Sequence, residues 1–470
     1  MRPFRTIRDG FFLSHAPYHL THFSDWTEAA DDLRFLIMKQ KCLALLTVVF
    51  AISLFTPSVS RAENWPAWRG AEGSGVTREK NLPTTWSDTE NVRWKTKLPE
   101  RGNSTPIVWE DKIFITQTMG ERRTVTCFVR ANGKQLWQSG PAYKETEESH
   151  RTNPFSSASP VTDGEKVIAW FGSAGIFCFD LNGKELWKRD LGKQIHEWGY
   201  GSSPVIYGDL CILNFGPGKK SFLIALDKTT GKTVWQIDIP EIQPAQRTDG
   251  FAGQRDGMLG SWSTPIIVKV NGRDELLLSL ADWLKAFDPK TGKELWRCGG
   301  LNPLIYTSAI YGDEVVVAMG GFQGSAIAVK PGGRGDVTAT NRLWQTARTK
   351  NRLGSGVIYD GHIYIANTPG VAECIELKTG KKIWEERLPS KGAKSEIWSS
   401  AVLSGDDIYV LNQSGDCVIF KASPKFEVVG VNAVGNDLTN GSLAVSDGEL
   451  FIRTHEHLWC IGQTKKTASR

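Results

Sequence analysis

The sequence predicts an all-β chain folded as an eight-bladed β-propeller with four-stranded antiparallel blades. Two repeats predict it. "ALDKTTGKTVW" at Ala225 to Trp235 returns as "AFDPKTGKELW" at Ala286 to Trp296, with Ala, Asp, Thr, Gly, Lys and Trp at the same offsets. Looser copies end at Trp137, Trp187 and Trp384, and a degenerate one, "NRLW", ends at Trp344; the steps between the six tryptophans are 50, 48, 61, 48 and 40 residues. A fixed-period phrase of this kind is one supersecondary unit repeated. The second repeat precedes the first: "STPIV" at Ser104, "ASPV" at Ala158, "SSPVI" at Ser202, "STPII" at Ser263, "TSAI" at Thr307, "GSGVI" at Gly354, "SSAVL" at Ser399 and "GSLAV" at Gly441.

Each unit reads as four strands in order. The first opens at the hydroxyl-bearing pair, a polar turn such as "YGD" or "SGDD" leads into a second apolar run, the third ends in the Ala-x-Asp or Cys-Phe pair, and the fourth carries Trp. Short apolar or alternating runs bounded by Gly, Asp and Asn are strands joined by tight turns, and four-stranded units repeated radially form a propeller. Within the phrase, Asp227 and Asp288 are expected to accept hydrogen bonds from turn amides, and Gly231 and Gly292 to take the left-handed conformation. Trp235 and Trp296 are then expected to dock on the neighbouring blade over the small Ala225 and Ala286. The last unit, "GSLAVSDGELFIRTHEHLWCIG", stops without a fourth strand, while Trp94 in "NVRWKT" lies on a strand with no unit of its own. The N-terminal strand is expected to close the ring by completing the last blade.

Along the chain, residues 1–37 read as an upstream mis-start. Residues 38–62 read as a Sec-type signal peptide starting at Met38, 63–93 as an N-terminal lead, 94–462 as the propeller and 463–470 as a disordered tail. Lysines before an apolar run and small residues at the cleavage spacing carry the signal assignment, which predicts a periplasmic or secreted protein. The run is too short for a permanent span. Cleavage leaves 408 residues with 49 basic and 46 acidic side chains. That near-neutral balance, without a basic run, argues against nucleic acid. Seven scattered cysteines (Cys127, Cys178, Cys211, Cys298, Cys374, Cys417 and Cys460) form neither a disulfide framework nor a Cys/His metal spacing, and are expected to be small buried hydrophobes.

The A-x-D-x-x-T-G-K-x-x-W phrase with its S-S-P strand resembles the tryptophan-docking repeat of the PQQ-like (quinoprotein-type, BamB-like) eight-bladed propellers, from Trp94 to Gly462. "NWPAWRGAEGSGV" at Asn64 and "LPTTWSDTENVRWKTKLP" at Leu82 resemble the lead of secreted bacterial members. The resemblance implies one of two functions. One is an exported, non-catalytic platform for binding or assembly in the cell envelope, with no cofactor or metal. The alternative is an alcohol or sugar dehydrogenase using pyrroloquinoline quinone (PQQ) and Ca²⁺. Such dehydrogenases carry an adjacent cysteine pair, Ca²⁺ held by Glu and Asn, and an Asp base; here no two cysteines are adjacent. No lipobox Cys follows the apolar run, since Cys42 precedes it.

Function is expected in the loops that lead into each inner strand, because they ring the channel mouth on a rigid scaffold. His150, Arg151, His196, Trp198, Arg255, Trp262, Arg352 and Trp398 lie in these loops and are expected to converge there. Their occupant would be an envelope protein or a small anionic or sugar-like ligand, bound by a monomer. "GPGKK" at Gly216 and "KPGGRGD" at Lys330 read as turns with solvated charges, and His455 and His457 as two apart on one strand face.

Overall fold

The computed structural model describes Met38 and residues 63–241, 259–435 and 437–463. Residues 1–37, residues 39–62 of the segment read as a signal peptide, Arg255 and residues 464–470 of the tail lie outside them. No helix among the described residues is long and apolar enough to cross a membrane.

Eight antiparallel sheets follow one another along the chain as blades of a propeller ring. Blades 1 to 7 span residues 107–139, 161–189, 205–239, 266–299, 310–346, 357–387 and 402–433; blade 8 combines 444–461 with the N-terminal strand Val92–Lys97. The middle strands are apolar on both faces because each blade is sandwiched between two others. In one such layer Ile212, Leu223 and Trp235 of blade 3 meet Leu276, Leu278 and Phe287 of blade 4.

The repeated phrase performs the docking. Asp227 Oδ1 accepts the N–H of Thr230 at 2.7 Å, Asp288 Oδ1 that of Lys290 at 2.8 Å, and Gly231 and Gly292 sit at φ +69° and +72°. Trp187 lies over Gly231 and Trp235 over Gly292, so close that an added Cβ would come within 2.7 Å of either indole. The indole N–H groups of Trp187 and Trp235 then donate to Lys228 O (2.9 Å) and Pro289 O (3.1 Å) on the next blade. Trp94, Trp137, Trp344 and Trp384 do the same to Arg130, Leu181, Leu377 and Ser423. Ala225 pairs directly with Trp235, and Ala286 with Trp296, which is why that position stays small. Blade 7 has no Trp on its outer strand, and Trp86 of the lead is buried there, its backbone N–H on Asn432 Oδ1.

Trp296 departs from the expected docking. It is wholly buried in an apolar layer shared with Val329 and Val337 of the next blade's region, but its N–H turns inward to Glu275 Oε2 at 2.8 Å. The cause is the long connection in blade 5. There "RGD" is not a free turn: Gly335–Asp336 adds a fifth strand, parallel to Trp296–Arg297, on the outer edge of blade 4. This strand leaves Leu295 7% exposed, whereas Leu136, Leu186 and Val234, in the same place on blades 1 to 3, are 44–51% exposed.

Val92–Lys97 pairs antiparallel with His457–Ile461, so the N-terminal strand closes blade 8. Charges reinforce this seam. Glu449 takes Arg93 of the N-terminal strand and Arg130 of blade 1, each at 2.8 Å, and the buried Arg453 donates to Thr116 O (2.7 Å) and Gln117 Oε1 (3.0 Å) of blade 1. His455 lies in the turn before that last strand, so it does not share a strand face with His457 as the sequence implied. The lead does more than precede the ring. Trp65 bridges to Val108, Pro66 O accepts from Thr162, and Val76–Thr77 pairs parallel with Leu403–Ser404. Between them Arg69, buried, donates to the carbonyls of Ser355 (3.0 Å), Gly356 (2.6 Å) and Ala401 (3.3 Å). The lead therefore crosses the channel from blades 1 and 2 to blades 6 and 7, as a plug.

Candidate functional site: the channel mouth

The second residue of every strand-opening pair is Ser or Thr, and the structure shows why. The backbone N–H of Thr105 donates to Ser159 Oγ (2.8 Å), Ser159 to Ser203 (2.9 Å), Ser203 to Thr264 (2.9 Å) and Thr264 to Ser308 (2.8 Å). Ser308 then donates to Ser355 (3.0 Å), Ser355 to Ser400 (3.0 Å) and Ser400 to Ser442 (2.9 Å). These seven bonds link all eight blades into a hydroxyl collar around the channel. Two residues before each collar hydroxyl, the chain turns its side chain or Cα into a cavity of about 410 Å³ at the mouth: Asn103, Ser157, Gly201, Trp262, Tyr306, Leu353, Trp398 and Asn440. The mouth is thus two-sided. Blades 4 to 7 contribute Trp262, Tyr306, Leu353 and Trp398, and blades 8 and 1 to 3 contribute amide, hydroxyl and glycine.

Of the residues expected there, Trp198, Trp262, Arg352 and Trp398 line this cavity. Arg352 is not a free cation. Its buried guanidinium sits 2.8 Å from Glu373 and 3.0 Å from Asn367 Oδ1, and Asn367 itself donates to Glu373. The two histidines act behind the wall. His150 stacks on Trp198 with ring centroids 4.1 Å apart and its Nδ1 is 2.7 Å from Thr152 Oγ1. His196 is buried edge-on to Trp262, accepts the N–H of Trp198 at Nδ1 (3.1 Å), and is pushed down to about 4 by burial, so it stays neutral. Arg151 is exposed and outside the cavity lining. Sequence reasoning missed Trp68, which lines the cavity from the lead, and also Tyr306, Phe322 and the asparagines 103, 153, 351 and 440. The offset of two from the collar hydroxyl is the signal that finds three of them, Asn103, Tyr306 and Asn440.

The family model described as outer membrane protein assembly factor BamB matches residues 74–216 and 219–469. The chain belongs to this BamB family. It is 21% identical over 373 residues to the outer membrane protein assembly factor BamB of Burkholderia pseudomallei, covering 71% of this chain and 88% of that protein. A polyvinylalcohol dehydrogenase from a Pseudomonas species is 23% identical over 269 residues, 51% of this chain but only 40% of that enzyme. Among solved structures, the quinohemoprotein alcohol dehydrogenase of Comamonas testosteroni shares the fold with a TM-score of 0.63 at 11% identity, over 87% of this chain and 82% of that one.

In this BamB-family propeller the mouth is the space that PQQ would have to occupy. A tricarboxylate quinone and its Ca²⁺ require cations and carboxylate ligands facing one space. The described lining contains no carboxylate, and its one cation, Arg352, is already paired with Glu373. The described lining residues do not fit the group. Among the described residues no cluster of three His, Cys, Asp or Glu side chains has metal-holding geometry. All seven described cysteines are free and buried, and burial pushes Cys127 and Cys178 up to about 12 and Cys298 and Cys374 up to about 11, so these thiols keep their protons.

Proposed function

We propose that the chain is exported and serves, without catalysis of its own, as a binding or assembly platform in the cell envelope, capturing its partner at the channel mouth. The observation that carries this reading is the composition of the mouth: a concave aromatic wall with hydroxyl and amide groups and no described general acid, base or nucleophile. BamB-family membership supports the envelope setting. Export rests on the Sec-type segment from Met38, and N-terminal sequencing of native protein is expected to read from Glu63. The partner is expected to be an envelope component, met by a monomeric propeller.

The test replaces Trp198, Trp262 and Trp398 together by Ala and follows capture from envelope extract. Capture should be lost while the melting temperature falls only slightly, because all three are half-buried wall residues. The opposing outcome is that PQQ with Ca²⁺ raises the melting temperature of the intact protein and supports dye-linked alcohol or sugar oxidation. That result would replace the platform by the dehydrogenase.

A further inference from the structure

The collar hydroxyls are half used. Each has two lone pairs and one proton. A neighbour's N–H occupies one lone pair of every collar hydroxyl except that of Thr105, and among the described residues the protons of Thr105, Ser203, Thr264, Ser400 and Ser442, which line the cavity, have no acceptor. The indole N–H groups of Trp68, Trp198 and Trp398 also lack a partner among the described residues. The mouth therefore presents uncharged donors under flat apolar faces, and its lining cation is compensated by Glu373.

From this the geometry points to a neutral saccharide as the occupant, a deepening that rests on the mouth being a capture site. A pyranose ring offers oxygens around its rim to the hydroxyl and indole donors, while its C–H face lies on Trp262, Tyr306 or Trp398. An anionic ligand would enter without a described counter-charge, at a desolvation cost. A purely apolar segment would leave the donors dry and unpaired. A cavity of about 410 Å³ lies in the range that encloses a small ligand.

The experiment titrates the mature chain, residues 63–470, with cellotriose, maltotriose and triacetylchitotriose, and separately with heparin, by tryptophan fluorescence and calorimetry. Saturable binding of at least one neutral trisaccharide, unchanged by added salt, is expected. Trp398→Ala, which breaks no internal hydrogen bond, should weaken it about tenfold or more at an unchanged melting temperature. Silence with all three sugars, salt-sensitive binding of heparin alone, or full affinity in Trp398→Ala each overturns the saccharide. The two readings fail separately. Capture lost in the triple variant without sugar binding removes the saccharide and keeps the platform; sugar binding with capture intact in that variant removes the platform from the mouth.

Discussion

Trp235 and Trp296 occupy the same letter of the repeat and are not equivalent. Trp235→Ala should cost roughly 3–5 kcal/mol, as core Trp truncations do. Trp296→Ala should cost more, because the indole bond it loses served Glu275, a carboxylate with 0% exposure that then relies on Arg273, whereas that of Trp235 serves only a backbone carbonyl. Urea denaturation of both variants checks the order, and equal losses would mean that the Glu275 bond contributes nothing. His196 and His455 set a second prediction. Burial brings both to about 4 from an ordinary 6.5. Each binds fewer protons folded than unfolded in that interval, so stability should fall as pH drops from about 6.5 towards 4. His196→Gln and His455→Gln should each flatten this slope in melting temperature against pH, and an unchanged slope would show that they titrate normally in the fold.

The blade was legible from sequence because its two repeats each report a physical need. Gly231 must sit at positive φ and also make room for Trp187, whereas Gly208 sits at φ +56° with open space around it. Gly208→Ala should therefore cost only the left-handed backbone, about 1–2 kcal/mol, and Gly231→Ala should cost that plus an overpacking penalty of about 1–3 kcal/mol. Equal losses by chemical denaturation would show that the indole yields. Less legible were the directions of loop side chains, since strand periodicity does not extend into loops. Arg352 reads as an available cation until Val371–Glu376 brings Glu373 beneath it, and His196 reads as a ligand until the fold buries it under Trp262. The collar was half legible: its hydroxyls were visible as a pattern, but their bonds run between blades and are spelled by no single unit.

For the whole molecule, the lead was the illegible part, because a segment that occurs once has no repeat to announce it. Its crossing of the channel and the closing strand after it predict that deleting residues 63–98 abolishes cooperative unfolding; a sharp, unshifted melt of the truncated protein would refute the closure. The edge of blade 4, covered by Gly335–Asp336, predicts that this blade exchanges its outer-strand amides with solvent more slowly than blades 1 to 3, whose outer strands are bare. The closure itself has a temporal consequence. Val92–Lys97 emerges early in synthesis and its partner, His457–Ile461, only after roughly 360 more residues. Until then the early strand waits with an open edge, and long-range pairing of this kind is slow. A chain that stops short of His457–Ile461 never gains that partner, so its ring stays open and the early strand keeps its bare edge.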